Sequence, residues 1–187
     1  NFFEAQFYNT ILCTDLISSH RYKYYGLNAF YTGHPVNIKK NLDYKHNLKD
    51  EIVFIGNVND TSDRIEKIDF LKKKYSNFIS IDNRGYVNLR LKKVDLEKYY
   101  KESSIILNFS KLDNGRLQRL NLCNDYFIKN LYGFKGRPLE VFAAGGFCLS
   151  EWSRTLEYIF RDLSEVILFK NNDEMFERID YFLSNKD

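Results

Sequence analysis

Short, wholly apolar runs alternate along most of this chain with stretches whose apolar residues recur every three or four positions. That alternation predicts β-α-β units joined into a mainly parallel sheet, because strands covered on both faces carry no polar stripe. Ile11–Thr14 reads as a short strand, followed by a helix around Asp15–Tyr25 and a strand at Asn28–Tyr31. Residues 37–50 are polar and aperiodic, as in a linker. A fresh unit starts at Ile52, where the apolar run IVFIG ends in Gly56. After the polar loop Asn57–Asp60, a helix from about Ser62 to Tyr75 presents Ile65, Ile68 and Leu71 as one stripe. Further strands are predicted at Phe78–Ile81 and Ile105–Phe109, with a short helix at Asp95–Glu102 between them. The segment 110–134 is irregular and long for a connection, of the size that carries function or a small helix. Regular pattern returns with a helix at Pro138–Ala144, a strand at Phe147–Leu149 and a helix around Arg154–Phe160. A strand at Val166–Phe169 and an amphipathic helix at Asp173–Leu183 close the chain, and no internal repeat is present.

These elements predict an α/β fold: a Rossmann-like, mainly parallel sheet with helices on both faces, complete in residues 51–187. Residues 1–36 read as the tail of a different, N-terminal Rossmann-like domain, and 37–50 as the linker. At 187 residues there is room for about one domain and part of another. The chain opens on Asn1, without a basic-then-apolar leader, which reads as a piece of a longer chain. No apolar run approaches the roughly 20 residues of a membrane span. Three distant cysteines, Cys13, Cys123 and Cys148, form neither a disulfide framework nor a metal pair, pointing to buried thiols in a reducing, cytoplasmic setting. The 28 basic and 25 acidic residues leave a net charge of +3 and are mostly interspersed. Lys39-Lys40, Lys72–Lys74 and Arg90–Lys93 read as solvated helix faces, their other use being peripheral contact with an anionic membrane surface.

In open parallel sheets the ligand lies beyond the carboxyl ends of the strands. That directs attention to the loops after Gly56 and Asn108 and before Pro138. Four of the nine glycines fall in YGFKGRPLEVFAAGGFCLSEW. Pro138 suits a first helical position, where its missing N–H has no intrahelical partner. Gly133 and Gly136 then lie in a loop through which a ligand could approach backbone N–H groups. Arg137 adds a fork-shaped donor matched to phosphate oxygens, and Glu140 a carboxylate able to accept from a vicinal diol such as a ribose. Together they describe a nucleotide diphosphate site. The same residues have an ordinary structural use, since a first-turn glutamate stabilises many helices and Gly145-Gly146 is a common helix stop.

As a set, these motifs resemble the C-terminal domain of GT-B glycosyltransferases, and within them the group 1-like, CgeB-type (spore-maturation-protein-like) enzymes. The shared elements are the IVFIGN strand, the LNF strand, and an Arg-x-x-Glu helix start followed by Ala-Ala-Gly-Gly, in order over roughly residues 51–185. The resemblance implies that Glu140 binds the donor ribose while Arg137 and the loop Gly133, Phe134, Lys135 and Gly136 face the diphosphate. Arg64 and Lys67 would add basic diphosphate contacts, with Arg137 and Arg64 stabilising the leaving group. Asn57 and Asn108 would line the pocket, and Arg84 would lie near the base. Tyr132 departs from the family, standing where many members carry a glutamate that contacts the donor sugar. Arg64 and Lys67 read equally well as solvated helix residues, Asn108 as a strand cap and Arg84 as a turn residue.

Other chemistries lack their residues. There is no GxGxxG after a strand and no GxxxxGK[ST] phosphate loop. His20, His34 and His46 have neither HExxH spacing nor a nearby cysteine, so no metal site is expected. Tyr22–Tyr25 and Tyr99-Tyr100 lack a basic groove and read as core, so no nucleic acid is expected. The resemblance implies transfer of a sugar from a UDP- or GDP-linked donor to an acceptor hydroxyl on a glycan, lipid-linked or protein acceptor. It implies neither a metal nor a tightly bound cofactor. The rival readings are a non-catalytic nucleotide-sugar-binding domain, a GT-B-like sugar-nucleotide epimerase, and a protein-interaction remnant.

Overall fold

The computed structural model describes residues 2–36, 48–57, 62–82, 93–111 and 132–185. A short helix α1 (Phe2–Ala5), absent from the periodicity reading, precedes β1 (Ile11–Cys13), α2 (Leu16–Tyr24) and β2 (Ala29–Tyr31). Asp15 caps α2 by accepting from the Ser18 N–H at 2.8 Å. β1 and β2 pair in parallel, with Leu12 opposite Phe30. Those two side chains are 68% and 48% exposed, an apolar face of a kind that parallel sheets ordinarily bury.

The larger unit runs β3 (Lys49–Gly56), α3 (Ser62–Lys74), β4 (Phe78–Asp82), α4 (Lys93–Glu102), β5 (Ser103–Asn108), α5 (Arg137–Ala143), β6 (Cys148–Glu151), α6 (Arg154–Ile159), β7 (Ile167–Phe169) and α7 (Asn172–Ser184). β3 begins at Lys49, two residues inside the stretch read as linker, because Lys49 pairs with Ser103 of β5 before a register irregularity. The sheet order is β4-β3-β5-β6-β7, and every neighbouring pair is parallel.

Alternation along the strands sends side chains to opposite faces. Ile52, Phe54, Ile105, Leu107, Leu149 and Phe169 pack with Ile68 and Leu71 of α3 and with Met175 and Ile179 of α7. Val53, Ile55, Ile106 and Cys148 meet Tyr100 of α4 and Val141 of α5 on the other face. The fold is therefore the α/β, Rossmann-like sheet with helices on both faces. Burial pushes the Cys148 thiol up to about 12, so it sits in the core as a protonated hydrophobe. Cys13 is likewise buried and free, and Cys123 lies outside the described residues.

The topology also places the site. From β3 the chain builds β4 on one side and then crosses back to lay β5 on the other. Loops leaving the carboxyl ends of β3 and β5 thus diverge, and a crevice opens between them. Among the described residues no helix is long and apolar enough to cross a membrane. Lys72–Lys74 occupy the last turn of α3, where cations complement the helix end, and Lys74 meets Asp180 of α7 at 2.8 Å. Lys39-Lys40 and residues 90–92 lie outside the described residues.

Candidate functional site

A cleft of about 300 Å³ occupies that crevice. Gly56 and Asn57 from the end of β3, and Asn108 and Phe109 from the end of β5, form its floor together with Phe54. Arg64 of α3 enters from one element, and Lys135, Gly136, Arg137 and Glu140 from the approach to α5 and its first turn. Seven residues expected at a ligand site from sequence therefore meet in one place: Asn57, Arg64, Asn108, Lys135, Gly136, Arg137 and Glu140.

Two positive groups converge there. The Arg64 guanidinium carbon is 5.9 Å from the centre of the Phe54 ring, and that of Arg137 is 6.0 Å from the same ring. Arg64, only 5% exposed, is held by donating from Nη1 to the Asn57 carbonyl at 2.8 Å. It is not the solvated helix residue that the sequence left open. Gly56 makes the approach of Arg137 feasible, because a Cβ there would lie 3.2 Å from Arg137 Nη1 and 3.1 Å from the Phe54 ring. Two guanidinium groups lining one partly desolvated cleft are an arrangement suited to an anion.

Beside Arg137 and Glu140 stands a residue that the sequence reading assigned to the core. The Tyr100 hydroxyl donates to Glu140 Oε2 at 3.2 Å, and the charge of Arg137 acts on it to lower its pKa against the larger effect of burial. Glu140 itself is exposed at the mouth. Asn108 is fully buried, donating from Nδ2 to Ser150 Oγ at 2.8 Å and to Ser110 Oγ at 3.3 Å. Its Oδ1 and the Arg137 Nε are buried atoms without a hydrogen-bond partner among the described residues. Unsatisfied buried polar atoms in residues that line a cleft call for a partner that the chain itself does not supply.

α5 is only seven residues long, so its dipole is a minor part of the site and the side chains dominate. Its end is a Schellman turn: the Gly146 N–H donates to Val141 O and the Gly145 N–H to Phe142 O, each at 2.9 Å. Gly145 adopts φ +82°, as this turn requires of the residue after the cap.

The remaining expected residues lie elsewhere. Lys67 does not line the cleft: its ammonium is 2.6 Å from Glu151 Oε1 and 2.8 Å from Asp63 Oδ2, almost fully buried. Desolvation lowers its pKa, but the Glu151 charge and the hydrogen bonds to Asp63 and Glu151 outweigh it and hold it above the usual lysine value. Tyr132 stacks edge-on against Trp152 at 5.7 Å and bridges to Lys111. The Gly133 N–H donates to the Ser110 carbonyl at 2.9 Å. Phe134 packs against the small cluster of Leu156, Val166 and Leu168, which explains why the loop presents Lys135 rather than its aromatic neighbour. Arg84 lies outside the described residues.

Sequence reasoning missed Phe54, Phe109 and Tyr100, whose type signalled only a core. Nor did it foresee that His34 of the first unit, outside the cleft lining, packs beside the loop, its ring 2.6 Å from where a Cβ at Gly136 would lie and its centre 6.4 Å from that of Phe134. Its one available signal was the TGHP turn before the polar stretch.

No curated protein matches the chain. A family model described as glycosyl transferase-like matches residues 48–187, from the start of β3 to the last residue, and so spans the sheet, the switch point and every wall of the cleft. The chain belongs to this glycosyl transferase-like family.

Proposed function

We propose that the cleft receives a nucleoside diphosphate-linked sugar, and that residues 51–187 are the donor-binding half of a GT-B glycosyltransferase. The observation that carries this reading is the convergence of Arg64 and Arg137 on Phe54 at the switch point of the sheet. The two guanidinium groups hold the diphosphate and stabilise the negative charge that builds as it leaves the sugar. Glu140, fixed beside them, accepts from the ribose hydroxyls and so sets the reacting carbon towards an acceptor hydroxyl. Asn108, which lines the cleft, keeps a buried Oδ1 without a partner among the described residues. The two-stranded unit, with Leu12 and Phe30 exposed in register, is consistent with the tail of a second Rossmann-like domain that would supply the acceptor side.

Donor binding without turnover is the second reading. Tyr132, packed on Trp152, brings no carboxylate to the sugar.

Titration calorimetry with UDP, GDP and ADP tests the proposal. At least one binds, and Glu140→Ala weakens it by about 1–3 kcal/mol through loss of charged hydrogen bonds. An affinity unchanged by Glu140→Ala removes the ribose role. Sugar release or transfer from the matching nucleotide sugar separates the transferase from the binding module.

A further inference from the structure

We propose that Tyr100 is a positioning residue that makes this a site for ribonucleotides, by fixing the Glu140 carboxylate so that its second oxygen meets the ribose 2′-hydroxyl. The inference rests on the nucleotide reading of the cleft. Tyr100 is 4% exposed, with its ring packed among Val53, Ile55, Ile106 and Val141. Its backbone is fixed as well, since the Tyr100 carbonyl oxygen lies so close to Gly146 that a Cβ there would overlap it. A rigid phenol thus reaches up from the core to a glutamate at the surface.

The direction of the hydrogen bond follows from chemistry. A guanidinium has no acceptor, so Arg137, whose charge bears on the phenol, cannot take its proton. The phenol proton is then directed to Glu140 Oε2, 3.2 Å away. Burial raises the Tyr100 pKa; Arg137 lowers it and Glu140 raises it, leaving the hydroxyl protonated and able to donate. Among the described residues this hydroxyl is the one hydrogen-bond partner of the Glu140 side chain. An exposed glutamate otherwise samples many rotamers, and ordering it at the moment of binding would weaken the contact. Tyr100 removes that freedom beforehand and leaves Oε1 for the ligand.

Tyr100→Phe deletes the hydroxyl and keeps the ring. The affinities to compare are those of UDP, GDP and ADP and of their 2′-deoxy counterparts, for the unaltered chain and the variant. The unaltered chain should prefer the ribonucleotide by about tenfold, the worth of one hydrogen bond to a charged group. In Tyr100→Phe the ribonucleotide should lose most of that preference, while the 2′-deoxy compound binds within about twofold of its original affinity. In a Glu140→Ala background the added Tyr100→Phe change should move neither affinity, because the group it positions is gone. Equal losses for both sugars, or a preference that survives the variant, would overturn the role of Tyr100 and leave the cleft reading standing. Absence of binding by the unaltered chain would overturn both.

Discussion

Lys67→Met destabilises the chain by about 3–5 kcal/mol in urea denaturation, as expected when a buried carboxylate loses its cation. The carboxylate is Glu151, 1% exposed at the end of β6. Its Oε1 takes the Lys67 ammonium at 2.6 Å, while Oε2 accepts from the Ser110 and Lys111 N–H groups at 2.8 Å each. Those two amides remain after the substitution, but they cannot neutralise a full charge in the core. Lys111 in turn bridges to Tyr132, and Ser110 accepts from Gly133. One ion pair therefore fixes the base from which the loop towards Arg137 departs. Lys67→Met combined with Glu151→Met should recover part of the loss, since apolar replacement of a whole buried pair is often near neutral. Recovery stays incomplete because Ser110 and Lys111 are left without their acceptor, at about 1–3 kcal/mol. A Lys67→Met chain within about 0.5 kcal/mol of the original would mean that the pair is solvated.

Gly146→Ala costs about 3 kcal/mol or more, measured by thermal or urea unfolding. A Cβ at this position overlaps the backbone carbonyl oxygen of Tyr100, and backbone cannot rotate aside as a side chain can. Relief requires α4 and the end of α5 to separate, opening the face built by Tyr100, Val141 and Ala144. Gly145→Ala is the control. It places a side chain at φ +82°, a backbone strain that costs about 1–2 kcal/mol. The order of the two adjacent variants is the diagnostic: Gly146 must be the worse of the pair. The reverse order would mean that the turn conformation, and not the close approach of the two helices, requires glycine here.

Much of the fold was legible because its signals are local. The runs IVFI and IIL are apolar without alternation, as strands covered on both faces must be, and each became part of a central strand. Ser153 and Asn171 cap α6 and α7 through side-chain oxygens, so the sequence marked those starts to within a residue. What escaped depends on tertiary neighbours. Lys67 and Glu151 are 84 positions apart, and neither residue type announces a buried partner. Lys67 was expected to be solvated or on a diphosphate, yet it serves the core. Tyr100 was legible as a core residue and is one, but nothing local shows that its hydroxyl emerges beside Glu140. Arg64 is buried for a reason no helical pattern contains, namely the Phe54 ring arriving from the neighbouring strand.

The central claim is that a nucleoside diphosphate sits between Arg64, Arg137 and Glu140. Mapping the backbone amide resonances of the isotope-labelled chain during titration with UDP, GDP and ADP tests it most directly. The account predicts that Gly56, Asn57, Asn108, Gly136, Arg137 and Glu140 shift together and saturate with one affinity. Shifts confined to the separate hollow of about 260 Å³ lined by Lys49, Ile79, Tyr99 and Glu102, or no shifts with any of the three, would contradict it.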